Sequence, residues 1–243
     1  MSAAEQILRG DLRAIARAAT HIENASPDAA QILAELNPHA GKALTLGITG
    51  PPGAGKSTLC DQLVRTLRAE GKKVAVIAVD PSSPFTGGAI LGDRIRMQQH
   101  HADPGVFIRS MAARGWHGGL AKSTKEMVTL LDAAGYNVVI IETVGVGQAE
   151  IEIARLAQVT VVVMVPGAGD DVQSIKAGIM EIAQVFAINK ADLPGADLLA
   201  NNIHSAIALG DETPPEIVKV VASEGKGIEE LLTAIRRAPR RVL

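Results

Sequence analysis

From Ala43 onward, short apolar runs alternate with longer stretches in which apolar residues recur every three or four positions. ALTLGIT (43–49), KVAVIAVD (73–80), VFIR (106–109), NVVIIE (137–142), VTVVVMV (159–165), VFAIN (185–189) and IVKVV (217–221) are rich in Val and Ile. Runs of this length and composition predict strands. Helical periodicity covers 56–70, 121–134, 174–183, 196–208 and 228–237. Strands apolar on both faces, separated by helices, imply a mostly parallel sheet covered on both sides. The expected fold class is α/β.

Ahead of this pattern, Leu8, Leu12, Ile15, Ala19 and Ile22 share one helical face, with Arg9, Arg13 and Arg17 on another. This spacing predicts one amphipathic helix over 3–24. A second helix, from Asp28 to Leu36, follows Ser26-Pro27, an N-cap and first helical position. Residues 1–42 are therefore expected to be an N-terminal helical extension and 43–243 the main domain. Two long Gly-rich loops, 80–93 and 110–120, interrupt the alternation, and loops of that length usually carry function.

Composition narrows the possible partners. Aromatics are 2% of the chain, which leaves little for stacking nucleic-acid bases, and the net charge is -2 with no long basic run. No nucleic-acid partner is expected. Nor is a membrane partner, because no apolar run approaches the roughly 20 residues a spanning helix needs. Cys60, the single cysteine, excludes an internal disulfide and suits a reducing compartment. The N-terminus has no apolar signal core and carries Glu5 and Asp11, so the expected location is cytoplasmic.

GPPGAGKST, Gly50 to Thr58, carries the chemistry. It contains a complete G-x-x-x-x-G-K-S between a predicted strand and a predicted helix. Glycines let backbone N–H groups curl around phosphates, Lys56 reaches the outer ones, and the Ser57 hydroxyl coordinates Mg²⁺. Gly50, Gly53, Ala54, Gly55, Lys56, Ser57 and Thr58 are the candidate phosphate ligands. NVVIIE delivers Glu142 to the carboxyl end of a strand, where an acid holds the metal or its water. Gly145, in the T-V-G-V-G that follows, allows close backbone approach to a terminal phosphate. Asp80 and Asp93 flank a Gly-rich loop. Either supports the metal shell or orients water, and helix capping is the other reading of Asp93.

NKAD, Asn189 to Asp192, follows the strand VFAI. The Asp192 carboxylate can accept from the N1–H and exocyclic amine of guanine, donors that adenine lacks in that arrangement. Each lost charge-assisted bond costs roughly 1.5–3 kcal/mol, which favours GTP over ATP. Lys190 lies along the base plane and Asn189 braces the loop. A last base contact is expected from the Ala222 backbone N–H, in VVASEGKGIEEL.

Taken together, GPPGAGKST, VAVIAVDPSSPFTGGAILGDRIRM, the GG of WHGGLA, VVIIETVGVGQAE, PGAGDDVQSIKAGIMEIA and NKAD resemble the MeaB/ArgK/MMAA family of P-loop GTPases. Members are chaperones of adenosylcobalamin-dependent acyl-CoA mutases such as methylmalonyl-CoA mutase. The resemblance runs from about residue 5 to 235 and is most specific in DPSS-x-x-TGG-x-ILGD and ETVGVGQ. It implies a P-loop NTPase fold and hydrolysis of GTP to GDP with Mg²⁺. Ser57, Asp80, Asp93 and Glu142 would then belong to the metal and catalytic environment, joined by Lys56. It also implies switches at 80–93 and 143–150, and a mutase-facing loop at 166–178 with Asp170, Asp171, Gln173 and Lys176. An acyl-CoA mutase and a cobalamin adenosyltransferase are the implied partners. The family usually continues past this point into a C-terminal helical arm that helps form its homodimer, while the chain stops at APRRVL, so a homodimer by that route is not expected. Val146 stands where Ras-like proteins keep a water-orienting Gln, which implies slow intrinsic turnover.

Three other functions share parts of this pattern. A metal-insertion GTPase would need Cys/His ligands. The chain has no Cys pair, and His100, His101 and His117 are poorly disposed to converge on one ion. A small-molecule kinase would need an acceptor pocket with its own base. A nucleotide-dependent binding module would keep the site with negligible turnover.

Overall fold

The structure is a computed structural model and describes residues 1–81, 100, 102–113, 119–143, 155–167, 181–207 and 214–242. In chain order its elements are α1 (Ala3–Leu8), α2 (Leu12–Glu23), α3 (Pro27–Leu36), β1 (Leu44–Thr49), α4 (Lys56–Ala69), β2 (Val74–Pro81) and β3 (Val106–Ala113). There follow α5 (Gly119–Ala133), β4 (Val138–Thr143), β5 (Val159–Met164), β6 (Val185–Ile188), α6 (Ala196–Ile207), β7 (Glu216–Lys219) and α7 (Ile228–Arg237). The chain divides into two compact units, Met1–Thr45 with Leu67–Ile141, and Leu46–Thr66 with Glu142–Leu243.

In the first unit β2 lies between β3 and β4. It pairs with β3 in parallel, from Val74 opposite Val106 to Pro81 opposite Ala113. This pairing continues strand geometry past VFIR, so 110–113, expected to open a loop, belongs to β3. Backbone bonding to a long neighbour extends a strand beyond its apolar run. The three N-terminal helices pack on α5, burying Ile7, Ile15, Ile22 and Leu36 against Met127 and its neighbours.

The single helix expected over 3–24 is two. Gly10 adopts φ +81, a conformation that ends helices readily only for glycine. Asp11 then caps α2, its carboxylate accepting from the Ala14 N–H at 2.9 Å. Ser2 and Glu5 form a reciprocal capping box on α1. The expected stripe does not run through the break: Leu8 and Leu12, on either side of Gly10, are exposed, while Ala4 and Ile7 of α1 and Ile15, Ala19 and Ile22 of α2 are buried.

Side-chain bonds tie the ends of elements within this unit. Asp132 on α5 is buried and accepts the backbone N–H groups of Gly41, Lys42 and Ala43. The entry to β1 is thereby fixed by a carboxylate that ends up fully bonded. Arg109 on β3 pairs with Glu23 at the end of α2. Arg68 on α4 forks onto Asp103, with two N–H···O bonds of 2.8 Å. A Cβ on Gly105 would lie 2.2 Å from the Arg68 guanidinium carbon, so the glycine leaves room for that fork.

In the second unit the order is β1-β5-β6-β7, all parallel. β5 and β6 are buried along their whole length, as both-faced burial of Val-rich strands requires. Phe186, Ile188, Val162 and Met164 meet Leu199 and Ile203 of α6 in one core cluster. The edge strand β7 carries Glu216 and Lys219 at its exposed ends, which discourages pairing with other chains. Most of the helix expected over 174–183 lies outside the described residues. Among the described residues no helix is long and apolar enough to cross a membrane.

Two titrations check this packing. Tyr136, the only tyrosine, is buried against Phe107 with ring centroids 6.1 Å apart, and burial pushes its phenol up to about 12. Its absorbance at alkaline pH should therefore stay that of the phenol through pH 11. A folded-state pKa raised in this way stabilises the fold below about 10, the ordinary tyrosine value, and that contribution is lost as pH rises toward 12. Asp103 is held below the usual carboxylate range, first by the Arg68 hydrogen bond and then by the Gly105 N–H. A depressed carboxylate stabilises above its unfolded value of about 3.9. Asp103→Asn should thus lower Tm at pH 7, with the deficit shrinking as acid protonates the wild-type carboxyl.

Candidate functional site

The glycine loop leaves β1 at Thr49 and enters α4 at Lys56. Its glycines answer to specific neighbours. Gly50 sits at φ +138, and a Cβ there would lie 2.2 Å from the Val163 carbonyl oxygen. That clash follows from register, since Thr49 lies opposite Val162 on β5. Gly55, at φ +85, would put a Cβ 2.3 Å from Asn189 Nδ2.

Lys56 is buried, and its ammonium donates to the carbonyls of Gly50 at 2.7 Å and Pro51 at 3.0 Å. The cation is thus folded back across the loop, at the N-terminus of α4. One residue on, the buried Ser57 hydroxyl donates to Glu142 Oε1 at 2.6 Å. Glu142, 1% exposed, stands near the carboxyl end of β4. The following Thr143 donates its hydroxyl to Thr49 at 3.0 Å, holding the ends of β4 and β1 side by side. Ser57 and Glu142 together present hard oxygen donors next to a phosphate-type loop, the donor set that suits Mg²⁺.

Asn189 follows β6 and is 3% exposed. Its side-chain amide donates to Ala54 O at 2.8 Å, while its carbonyl accepts from Ala222 N at 3.0 Å. One residue therefore connects the glycine loop, the NKAD segment and the turn after β7. Lys190 adopts a left-handed φ of 55, an unusual conformation for a side chain of this size. Its ammonium donates to Gly53 O at 3.1 Å.

Residues 15–242 match the family described as Methylmalonyl Co-A mutase-associated GTPase MeaB. The chain belongs to the MeaB family of P-loop GTPases. A GTPase-family protein of Pyrococcus abyssi is 53% identical over 238 residues, covering 96% of this chain and 74% of its own. The GTPase ArgK of Escherichia coli is 42% identical over 241 residues, covering 95% and 73%. Among solved structures, one titled LAO/AO transport system kinase superposes with a TM-score of 0.77 at 36% identity, covering 96% of this chain and 72% of that one.

Within this MeaB-family site the structure brings together Gly50, Gly53, Ala54, Gly55, Lys56, Ser57, Glu142, Asn189, Lys190 and Ala222. Thr58 is exposed on the first turn of α4, and Asp192 is an exposed carboxylate two residues past Lys190. Asp80 lies at the end of β2, but its side chain lies outside the described residues. So do Asp93 and Gly145, and the four polar residues of the 166–178 loop. The Ala222 N–H, read from the sequence as a donor to the base, donates to Asn189 Oδ1. The Thr49–Thr143 pair and the Val163 carbonyl facing Gly50 were missed by sequence reasoning. Both depend on which strands are neighbours, and no local pattern signals that.

Asn189→Ala would leave the buried Ala54 carbonyl and Ala222 N–H without their partner. Each such loss costs about 1–3 kcal/mol, so a fall in Tm together with weaker nucleotide binding is expected. Gly55→Ala, which meets both the Asn189 amide and a left-handed backbone, should destabilise by about 1–3 kcal/mol, read by chemical denaturation.

Proposed function

We propose that this chain binds GTP with Mg²⁺, hydrolyses it to GDP and phosphate, and uses the cycle to chaperone an adenosylcobalamin-dependent acyl-CoA mutase. The observation that carries the nucleotide reading is the Asn189 bridge, which ties the phosphate loop to the guanine-reading segment. The family description, with its mutase-associated GTPase, supports the partner.

The phosphates enter where backbone N–H groups of 50–55 and the start of α4 converge, and Lys56 exchanges its carbonyl partners for their oxygens. Such a loop gains from the helix dipole and from charge-assisted bonds. Ser57 and Glu142 would hold Mg²⁺, which supplies neutralisation of the charge on the phosphates. Asp192 accepts from N1–H and the 2-amino group of guanine, and Lys190 lies along the base. Asp80 and Asp93 complete the metal and water environment, and Gly145 admits the terminal phosphate. Segments 80–93 and 143–150 act as nucleotide-sensing switches, and 166–178 carries their state to the mutase. Residues 43–243 form the hydrolysing domain, extended at its N-terminus by the helices of 1–42. With a single cysteine, Cys60, buried in α4 and unable to form an internal disulfide, the chain works in the reducing cytoplasm.

Transfer of phosphate to a small molecule, the kinase alternative, would leave the guanine-reading segment without a purpose. Among the described residues there is also no cluster of three metal-ligating side chains to favour delivery of a metal ion.

Steady-state hydrolysis of GTP, with ATP as control, tests this reading alone and with a panel of B12-dependent acyl-CoA mutases. Acceleration of GTP turnover by one mutase, with no effect on ATP, is expected. Ser57→Ala and Glu142→Gln should each lower kcat on the order of 100-fold, as loss of one preorganised polar group in a phosphoryl-transfer site does. Turnover unaffected by every mutase would overturn the chaperone role while leaving the hydrolase.

A further inference from the structure

The turn after β7 is closed on itself. Val221 and Lys226 exchange backbone hydrogen bonds of 3.0 and 3.3 Å, forming an isolated antiparallel bridge. Gly225 and Gly227 take left-handed φ of 70 and 77, and a Cβ on Gly227 would lie 2.3 Å from the Lys219 carbonyl oxygen. Two bonds attach this turn to NKAD. The Ala191 N–H donates to Val220 O at 3.1 Å, and the Ala222 N–H donates to Asn189 Oδ1 at 3.0 Å. The backbone of Lys226 is therefore fixed beside the segment that ends in Asp192.

The Lys226 ammonium pairs with Glu224 Oε2 at 2.6 Å, with side chains 72% and 51% exposed. An ion pair this exposed contributes little to stability. The amine is held above the ordinary lysine range by the Glu224 hydrogen bond first, with the Asp192 charge adding to it.

We propose that Lys226, tethered by Glu224, is a specificity-determining residue that supports Asp192 in reading the guanine edge. The proposal rests on the GTP reading above. When a base covers Asp192, its carboxylate loses water on that side, which is costly for an uncompensated charge. A cation held within its field offsets part of that cost while leaving the lone pairs to the N1–H and 2-amino donors. Glu224 keeps the ammonium from swinging onto the carboxylate and occupying those lone pairs itself. Adenine offers Asp192 no such donors and gains nothing from the arrangement. Lys226 thus widens the margin between guanine and adenine rather than strengthening nucleotide binding in general.

The test is a titration of the full chain with fluorescently labelled GDP in Mg²⁺ buffer, with ADP as competitor. It compares wild type, Lys226→Gln, Glu224→Gln, Asp192→Asn and the Asp192→Asn/Lys226→Gln double variant. Lys226→Gln should weaken GDP binding roughly two- to five-fold, the size an exposed charge contact carries, and leave ADP unchanged. In the Asp192→Asn background the same change should cost nothing further. Glu224→Gln should weaken GDP binding as well, and an unchanged Glu224→Gln removes the tether from the proposal. A wild type with no preference for GDP over ADP overturns the GTP reading itself. A preserved preference with Lys226→Gln equal to wild type overturns the Lys226 role alone. Equal losses for GDP and ADP, or an undiminished loss beside Asp192→Asn, would mean that Lys226 acts through the turn, which also overturns it.

Discussion

The side chain of Asn189 is the constraint on which the second unit's loops depend. A buried neutral amide donates to the glycine loop and accepts from the turn after β7. Aspartate in its place would lose the donor, and an aliphatic residue would leave two buried backbone groups unpaired. Gly55 follows from the same contact, because a Cβ would occupy the space of that amide. The glycine is thus required by the loop's brace as well as by any phosphate. A left-handed Lys190 comes directly after Asn189, a strained backbone within the NKAD segment.

Burial of charge at the other end of the loop points the same way. Lys56, Ser57 and Glu142 are all buried, where apolar side chains of similar volume would stabilise the fold at least as well. Their arrangement sets a cation folded over the glycine loop, and a hydroxyl against a carboxylate near the end of β4. In the first unit, by contrast, Asp132 and the Arg68–Asp103 fork fasten the ends of elements. What separates the two cases is that Lys56, Ser57 and Glu142 lie on or beside the glycine loop.

Most of the fold was legible because its signals are local. Val- and Ile-rich runs marked the strands to within a few residues, and GPPGAGKST lay where a strand gives way to a helix. The departures have physical causes beyond pattern. Leu8 and Leu12 continued the apolar spacing across Gly10 and masked the break, yet both are exposed, because the turn between the two helices carries them away from the core. β3 runs past its apolar core because β2 offers it backbone partners. The bond from the Ala222 amide to Asn189 was not foreseen because it joins two segments distant in sequence.

The sequence by itself determined the α/β class, the phosphate loop, the acid at the end of β4 and the family to which the chain belongs. Each is written in neighbouring residues, whose spacing the backbone converts directly into geometry. Only the tertiary structure decided that Ser57 meets Glu142 and that Val163 forbids a side chain at Gly50. It also decided that Asn189 joins three loops and that Lys226 stands beside the segment holding Asp192. These contacts join residues separated by tens to more than a hundred positions. They depend on strand order and register, which the packing of the whole chain sets.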